Sequence, residues 1–191
     1  MSFEMVSSNI PGCYELIPKV IKDNRGVFVK TFHQDYFRDH GLITHFAEEY
    51  YSLSYRGVLR GMHFQTPPMA LTKLVYCLFG EVMDVVIDLR YGSPTYGKFA
   101  IFELSAEKAN IIYIPVGLAH GFYVKSQSAL MMYKVTEIYS PEHDTGIRWN
   151  SVGISWPDNN PIISKRDSEF VPFESFKSDF SYEGSLDEKQ S

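Results

Sequence analysis

Four side chains that can transfer a proton or supply a positive charge lie in three short segments of this sequence. His63 belongs to residues 57–65, Gly-Val-Leu-Arg-Gly-Met-His-Phe-Gln, with Arg60 three positions before it. His120 and Tyr133 follow on two later apolar runs. Histidine titrates near neutral pH, so it can both take and return a proton. A tyrosine and a cation beside it would form an acid–base site for a substrate whose negative charge builds on oxygen.

The segment around His63 has the alternation of a β-strand, which decides where its side chains point. Residues two apart in a strand share a face, so His63 and Gln65 point the same way. Arg60 falls on the other face unless Gly61 marks a β-bulge, as a glycine inside a strand often does, and the pattern leaves this open. Lys73 begins an apolar strand and could point inward. Taken singly, His63 would be a hydrogen-bonded core histidine and Lys73 a surface charge at a strand end.

The elements that must position these residues are mostly short strands. Residues 16–21 and 27–32 are predicted as strands joined by a turn at 23–26, and residues 34–40 as a short helix closed by Gly41. Apolar or alternating runs follow at residues 45–54, 58–64, 73–78, 82–89, 99–104, 111–114, 121–124 and 130–138. Runs this short, with little helix between them, favour an antiparallel sandwich or barrel. The predicted fold class is all-β, a double-sheet jelly roll with a few short helices.

Length and composition predict one domain with its own core. The 191 residues are 45% hydrophobic; the expected jelly-roll domain spans residues 1–175, and a polar, partly frayed tail occupies residues 176–191. A net charge of −5 argues against a nucleic-acid-binding protein. No signal peptide or membrane-spanning stretch is recognised. Cys13 and Cys77 lack metal or redox spacing, so a cytoplasmic location is expected.

A catalytic metal is not expected. Residues 115–120, Pro-Val-Gly-Leu-Ala-His, resemble a metal-binding segment of cupin jelly rolls, Pro-x-Gly-x-x-His. However, Gln65 stands where such proteins place a second histidine two residues after His63, and no glutamate follows within the next seven residues. Two histidines and an amide are a poor ligand set for a first-row metal. Asp84 and Asp88 are interpreted as buried structural partners, with Asp84 as a candidate partner for a histidine.

Several further segments complete a pattern that runs from about Leu16 to Phe173. They are residues 23–28, Val58-Leu59-Arg60-Gly61-Met62-His63-Phe64-Gln65, 80–90, Ile114-Pro115-Val116-Gly117-Leu118-Ala119-His120-Gly121-Phe122, 133–136, 139–143, 154–157 and 161–167. In this order they resemble the nucleoside-diphosphate-sugar 3,5-epimerase family, best known as dTDP-4-dehydrorhamnose 3,5-epimerases. The resemblance implies a cupin-type jelly-roll homodimer that uses no metal and no cofactor. Its substrate would be a nucleoside-diphosphate sugar, a 4-keto-6-deoxyhexose.

The resemblance also implies a role for each catalytic residue. The C4 ketone acidifies the protons on C3 and C5. His63 would be the base, with Asp167 holding and polarising its imidazole. Lys73 would stabilise the enolate oxygen in the manner of an oxyanion hole. Tyr133 would return a proton to the opposite face, which inverts the carbon.

Substrate contacts are implied in the same way. Arg60 and His120 would hold the sugar or phosphate near the enolate. Arg25 and Arg166 would neutralise the diphosphate, because guanidinium groups suit phosphate oxygens, and Arg25 would reach the partner subunit's site. The remaining candidates for substrate contacts are Phe28 and Tyr139 around the base, Asp144 at the base or sugar, Lys30 and Gln65.

Some positions depart from the residues that are usual in this family. Lys30 replaces a glutamate, while Glu48 and Tyr50 replace a glutamine and an asparagine. Arg166 for lysine and Asp144 for glutamate keep the charge. The first three change charge or bulk near the nucleotide and sugar, so the base, the exact sugar and the choice of C3, C5 or both stay open. Two alternatives remain: a cupin 3,4-ketoisomerase of the same substrate class, and a non-catalytic cupin that binds nucleotide sugars.

Overall fold

Two antiparallel sheets packed face to face form the body of the molecule, in a computed structural model that describes residues 3–184. The strands are β1 (Phe3–Ser7), β2 (Tyr14–Pro18), β3 (Val20–Asp23), β4 (Gly26–Val29), β5 (Glu48–Tyr55), β6 (Leu59–Gln65), β7 (Lys73–Phe79), β8 (Glu81–Asp88), β9 (Phe99–Ser105), β10 (Ile111–Ile114), β11 (Leu118–Val124), β12 (Ser128–Val135) and β13 (Asp144–Gly146). The helices are α1 (Gln34–Asp39), α2 (Lys165–Ser168) and a 3₁₀ helix (Phe173–Ser175). The predicted all-β jelly roll with a few short helices is therefore confirmed.

The strand order brings residues that are distant in sequence onto two facing walls. One sheet has the order β1-β2-β10-β7-β12-β5, and the other has the order β13-β6-β11-β8-β9. β6 and β11 carry His63 and His120 on one wall. β7 and β12 carry Lys73 and Tyr133 on the other. β3 and β4 form a separate hairpin, through the turn predicted at 23–26.

Apolar side chains fill three layers around these walls. Between the sheets, Val75 and Met131 of one sheet pack with Val86 and Phe122 of the other. The segment around α1 covers the outer face of the six-stranded sheet, and the C-terminal chain covers the five-stranded one. Because both faces of the five-stranded sheet are covered, its strands β8 and β11 are buried at nearly every position and do not alternate between buried and exposed residues. Each large apolar side chain buried in this way contributes about 1.5–3 kcal/mol, which holds the walls in place.

An irregularity at Gly61 decides where Arg60 points. His63 pairs with His120 across to β11, but Arg60 pairs with Phe122, so β6 has one residue more than its partner over this stretch. The extra residue breaks the alternation, and Arg60 and His63 line the same cavity. Gly61 has φ +148°, and a Cβ there would lie 2.6 Å from a backbone Cα of β11. Only glycine suits this position, and the bulge that the sequence left open is present.

The chain after the 3₁₀ helix packs against the five-stranded sheet. Phe176 and Phe180 contact Phe64 edge-on, with ring centroids 5.4 and 5.7 Å apart. The polar tail expected over residues 176–191 therefore begins with packed side chains, and its part at 185–191 lies outside the described residues. Among the described residues, no helix has the length and apolar character needed to cross a membrane.

Candidate active site

A cavity of about 460 Å³ opens between the two sheets and contains most of the predicted site residues. The predicted residues that line it are Arg60, His63, Gln65, Lys73, His120, Tyr133, Tyr139, Asp144 and Arg166. Asp167 lies directly behind His63. The volume suits a ligand of small-molecule size, and the lining combines an apolar floor with convergent polar groups, as binding sites usually do.

His63 and Asp167 form a hydrogen-bonded pair at the back of the cavity. The Nε2 atom of His63 lies 2.9 Å from Oδ2 of Asp167, whose side chain is 4% exposed. The Ser164 hydroxyl caps α2 by accepting the Asp167 N–H at 3.1 Å, and the Gly61 N–H donates to Oδ2 at 3.3 Å. Burial alone would raise the pKa of Asp167, but hydrogen bonds from His63 and Gly61 lower it to about 2. Asp167 is therefore a fixed anion that orients the imidazole.

His63 is a neutral base near pH 7. Burial lowers the pKa of its imidazole below 6.5; Asp167 opposes this effect, and the cations of Lys73 and Arg166 add to it. Because Nε2 donates its proton to Asp167, Nδ1 carries the lone pair that can accept a proton. The ring of Phe170 packs edge-on against the imidazole at 5.8 Å and restricts its rotation.

Lys73 supplies the cavity with a cation beside the base. The residue is 8% exposed, and its Nζ donates to the backbone oxygen of His63 at 3.1 Å. Burial lowers the pKa of Lys73 to about 8, although Asp144 and Asp84 favour the charged form. An ammonium group has three donors, so it can keep this bond and also donate to an oxyanion in the cavity.

Tyr133 reaches the cavity from the sheet opposite His63. The residue is 7% exposed, and its Oη lies 3.4 Å from the Ser52 hydroxyl, which is a long contact. Burial raises the pKa of Tyr133 above its ordinary value of 10.0, so the phenol stays protonated. A base on one wall and a protonated phenol on the other can take a proton from one face of a carbon and deliver one to the opposite face.

His120 is held by Asp84 in the wall of the cavity. Their Nε2 and Oδ2 atoms lie 2.8 Å apart, and both side chains are buried. The predicted pairing of Asp84 with a histidine is therefore present. Asp88 is also a structural partner, because both of its carboxylate oxygens accept from Arg90 at 2.9 Å. Within residues 3–184, no group of three or more His, Cys, Asp or Glu side chains is arranged to hold a metal ion.

Arg166 joins the base to the rim of the cavity. Its Nη2 lies 3.0 Å from Nε2 of His63, its Nε donates to Asp167 at 3.1 Å, and its Nη1 pairs with Asp144. One N–H at Nε2 of His63 cannot donate to Asp167 while that nitrogen accepts from Arg166. We assign the hydrogen bond to Asp167, because it is a buried anion, and the Arg166 contact lowers the pKa of His63. The half-exposed guanidinium is placed to bind an anionic group of a ligand.

Gln65 supports the rim of the cavity with its amide. Its Nε2 donates to the backbone oxygens of Met69 and Ile138 at 2.8 and 3.2 Å, and its Oε1 accepts the Ser140 N–H at 2.7 Å. Both amide donors are thus used within the protein. Gln65 thus fixes the loop that carries Tyr139, and its substrate contact stays a prediction.

Three predicted binding residues lie outside this cavity. Arg25, Phe28 and Lys30 lie on or directly after the β3–β4 hairpin, and none of them is among the described residues that line the cavity. The side chain of Arg25 is 85% exposed and pairs with Asp23, while Phe28 is 56% exposed. A guanidinium and an aromatic ring exposed on one hairpin are typical of a surface that meets a partner.

Four further residues line the cavity that the sequence marked only as departures from the family, or did not mark at all. Glu48, Tyr50 and Ser52 point into the cavity from β5, and Glu137 lies close to its rim. The first three share strand parity. That parity could have placed them on one face, but only once β5 was known to be an edge of the cavity wall.

The fold and the cavity together define a class of protein: a jelly roll with a histidine and a tyrosine on opposite walls of its cavity and a lysine beside the histidine, an arrangement that suits an isomerase that moves protons. Residues 7–175 match the family model described as dTDP-4-dehydrorhamnose 3,5-epimerase. The chain is 42% identical to the dTDP-4-dehydrorhamnose 3,5-epimerase of Shigella flexneri over 166 residues, which cover 85% of this chain and 92% of the relative. The chain belongs to the dTDP-4-dehydrorhamnose 3,5-epimerase family and is an isomerase.

Two further relatives bear on substrate and outcome. The crystal structure of dTDP-6-deoxy-D-glucose-3,5-epimerase from Legionella pneumophila, in complex with dTDP-4-keto-L-rhamnose, has a TM-score of 0.91 at 33% identity and covers 95% of this chain and 100% of that chain. The dTDP-4-dehydrorhamnose 3-epimerase of Streptomyces niveus is 37% identical over 84% of this chain and 79% of the relative. The names of these proteins therefore include both two-centre and one-centre epimerases.

Proposed function

We propose that this chain inverts both C3 and C5 of a dTDP-linked 4-keto-6-deoxyhexose through an enolate at the C4 oxygen. The observation that carries the proposal is the position of His63 and Tyr133 on opposite walls of one cavity, with Lys73 beside the base. A ketone at C4 acidifies the hydrogens on both neighbouring carbons. Inversion requires removal of a proton from one face and delivery to the other, and the two walls offer a group for each task.

The chemical step follows from these positions. Nδ1 of His63 takes the proton, the electrons of the C–H bond form a C=C bond to C4, and the carbonyl electron pair moves to O4. The ammonium of Lys73 stabilises that oxyanion. Tyr133 then donates its proton to the opposite face of the carbon as the carbonyl reforms. His63 releases its proton to solvent and Tyr133 regains one, so substrate and product are isomers with the same number of electrons.

The rim supports binding of the nucleoside diphosphate. Arg60 and His120 flank the sugar position, and Arg166 provides a guanidinium for a phosphate. Tyr139 and Asp144 form the outer part of the cavity, where the base would contact them. Thymidine is the proposed nucleoside, since the similar Legionella protein is described with a dTDP-linked ligand.

The test is to incubate the protein with dTDP-4-keto-6-deoxyglucose in D₂O and follow C3 and C5 by NMR. We expect deuterium at both carbons, with inverted configuration. Label at C3 alone would make the protein a 3-epimerase, and movement of the ketone to C3 without label at C5 would make it a 3,4-ketoisomerase. Binding without any label would indicate a non-catalytic protein. The same sugar on CDP and GDP tests the nucleoside, because thymidine should give the highest kcat/KM.

The pH dependence of kcat/KM is expected to be bell-shaped, with an acid limb below pH 6.5 and an alkaline limb near pH 8. His63 must be neutral to act, so activity rises with pH through its lowered pKa. Lys73 must be charged to stabilise the enolate, so activity falls as pH passes its pKa of about 8. Lys73→Arg should move the alkaline limb upward, since arginine stays charged. The exposed Lys98→Arg is the control, and an alkaline limb that does not move in Lys73→Arg would contradict the assignment.

We also propose a homodimer in which Arg25 enters the partner subunit's site and binds the diphosphate. The support is the exposure of Arg25 and Phe28 on a hairpin outside the cavity of its own chain. Val27 beside them is also exposed. These exposed side chains would be buried only by contact with another molecule.

Subunit mixing tests this arrangement directly. Arg25→Ala should raise KM by about tenfold or more, because a charge-assisted hydrogen bond to phosphate is lost, whereas Arg38→Ala on exposed α1 should not. In a heterodimer of Arg25→Ala with His63→Ala, one site has an intact His63 from one subunit and an intact Arg25 from the other. Low KM should therefore return in that site. If Arg25 acts within its own subunit, mixing restores nothing.

A reducing cytoplasm is the proposed location. Cys13 and Cys77 are both free thiols, and both are buried. Their state is the one expected in a compartment that keeps thiols reduced.

A further inference from the structure

Tyr50 packs flat against the tyrosine that is proposed to deliver the proton. The two residues lie directly opposite each other on the paired strands β5 and β12. Their ring centroids are 4.9 Å apart, and the ring planes differ by 17°. Tyr50 also lines the cavity. The stacked ring is therefore part of the site's inner surface as well as a neighbour of Tyr133.

Ring packing, more than hydrogen bonding, fixes the direction of the Tyr133 phenol. Its Oη has a contact with the Ser52 hydroxyl, but at 3.4 Å this bond is long and directs the ring weakly. The ring itself lies between two others. His120 approaches edge-on, at a centroid distance of 6.2 Å and an angle of 70°, and Tyr50 covers a face. His120 is in turn fixed by its bond to Asp84. Tyr50 and the fixed ring of His120 therefore hold the Tyr133 ring from two sides.

Tyr50 also separates Tyr133 from the rim. β5 is the edge strand of its sheet, and Tyr50 is 45% exposed while Tyr133 is 7% exposed. Removing the Tyr50 ring would let water reach the Tyr133 phenol. Burial is what keeps the pKa of Tyr133 raised, so the cover also helps to keep the phenol protonated.

We propose that Tyr50 is a positioning residue for proton delivery: it holds the Tyr133 ring against His120, so that the phenol faces the side of the carbon opposite His63. This inference rests on the proposed function, because it concerns the second half of the epimerisation. It assigns Tyr50 no contact with the reacting atoms. Its effect should appear in how the enolate is partitioned, since proton removal depends on His63, which lies on the opposite wall, and on the charge of Lys73.

The experiment measures that partition in D₂O. For each variant, the rate of inversion is divided by the rate of deuterium uptake at the same carbon. Tyr50→Ala should lower this ratio by about tenfold or more, because a small displacement of a reacting group has a large kinetic cost. Tyr50→Leu, which keeps apolar bulk without a flat ring, should lower it as well and serves if the alanine variant folds poorly. Tyr50→Phe should keep the wild-type ratio, since the stacked ring remains.

The controls separate positioning from a general loss of structure. Tyr51→Ala lies on the outward face of the same strand and should keep the ratio. An unchanged ratio in Tyr50→Ala, or an equal fall of uptake and inversion, would overturn the inference. So would a Tyr50→Phe ratio as low as that of alanine. Failure of the proposed function is distinct, because then the wild type itself would show neither uptake nor inversion.

Discussion

His63→Ala is expected to abolish deuterium uptake at C3 and C5, by about 10³-fold or more, while the protein stays folded. General-base catalysis by a positioned histidine accounts for a factor of about 10²–10⁴. Lys73 cannot take over as the base near pH 7, because its side chain is protonated below its pKa of about 8. Rapid NMR of the 4-keto sugar in D₂O measures the rate.

Two companion variants make that result interpretable. His63→Asn keeps a polar side chain beside Asp167 and should be as inactive as alanine, because an amide cannot act as a base. His40→Ala changes an exposed imidazole at the end of α1 and should leave the rate unchanged. Circular dichroism and Tm establish folding, which should survive because Asp167 keeps its bonds to Gly61 and Arg166. Near wild-type uptake in folded His63→Ala would overturn the assignment of the base.

The direction of the site side chains shows how far strand periodicity can be used. Alternation correctly put His63 on a cavity face, but it gave Arg60 the opposite one. The register of β6 is set by β11, where Arg60 pairs with Phe122 and His63 with His120. A glycine inside a strand suggests such a bulge. Glycine is required at position 61 because the backbones of two strands approach each other closely in the folded sheet. Local pattern therefore predicted the element and the residue type, while the partner strand decided the geometry.

Hydrogen bonds that arise only on folding could not be predicted from the sequence. Parity placed Gln65 on the cavity side, where it lies, but not the bonds of its amide to the backbone of residues 69, 138 and 140. Asp167 stands more than a hundred positions after His63 in the sequence. In the fold, a single turn of helix capped by Ser164 brings it behind the imidazole. Spacing could not suggest that pair; the resemblance to a family did.

The surroundings of Phe28 and Arg25 could not be predicted from the sequence for a different reason. Both are implied to contact substrate, yet both are exposed on a hairpin that does not line the cavity of its own chain. The proposed homodimer would bury these exposed apolar and charged groups, and the sequence of one chain does not contain the geometry of such a contact. The subunit-mixing experiment decides this point independently of the acid–base residues.

Tyr133→Phe is expected to retain deuterium uptake while inversion falls by about 10²-fold or more. Uptake needs His63 and Lys73, which the change does not touch, whereas delivery to the far face needs the phenolic proton. The ring should stay in place, because its stacking on Tyr50 and its contact with His120 do not involve the hydroxyl. The product should therefore be labelled substrate of retained configuration, measured by NMR. Tyr113→Phe, a buried tyrosine outside the cavity, is the control. Equal loss of uptake and inversion in folded Tyr133→Phe would show that the phenol positions the substrate instead of protonating it.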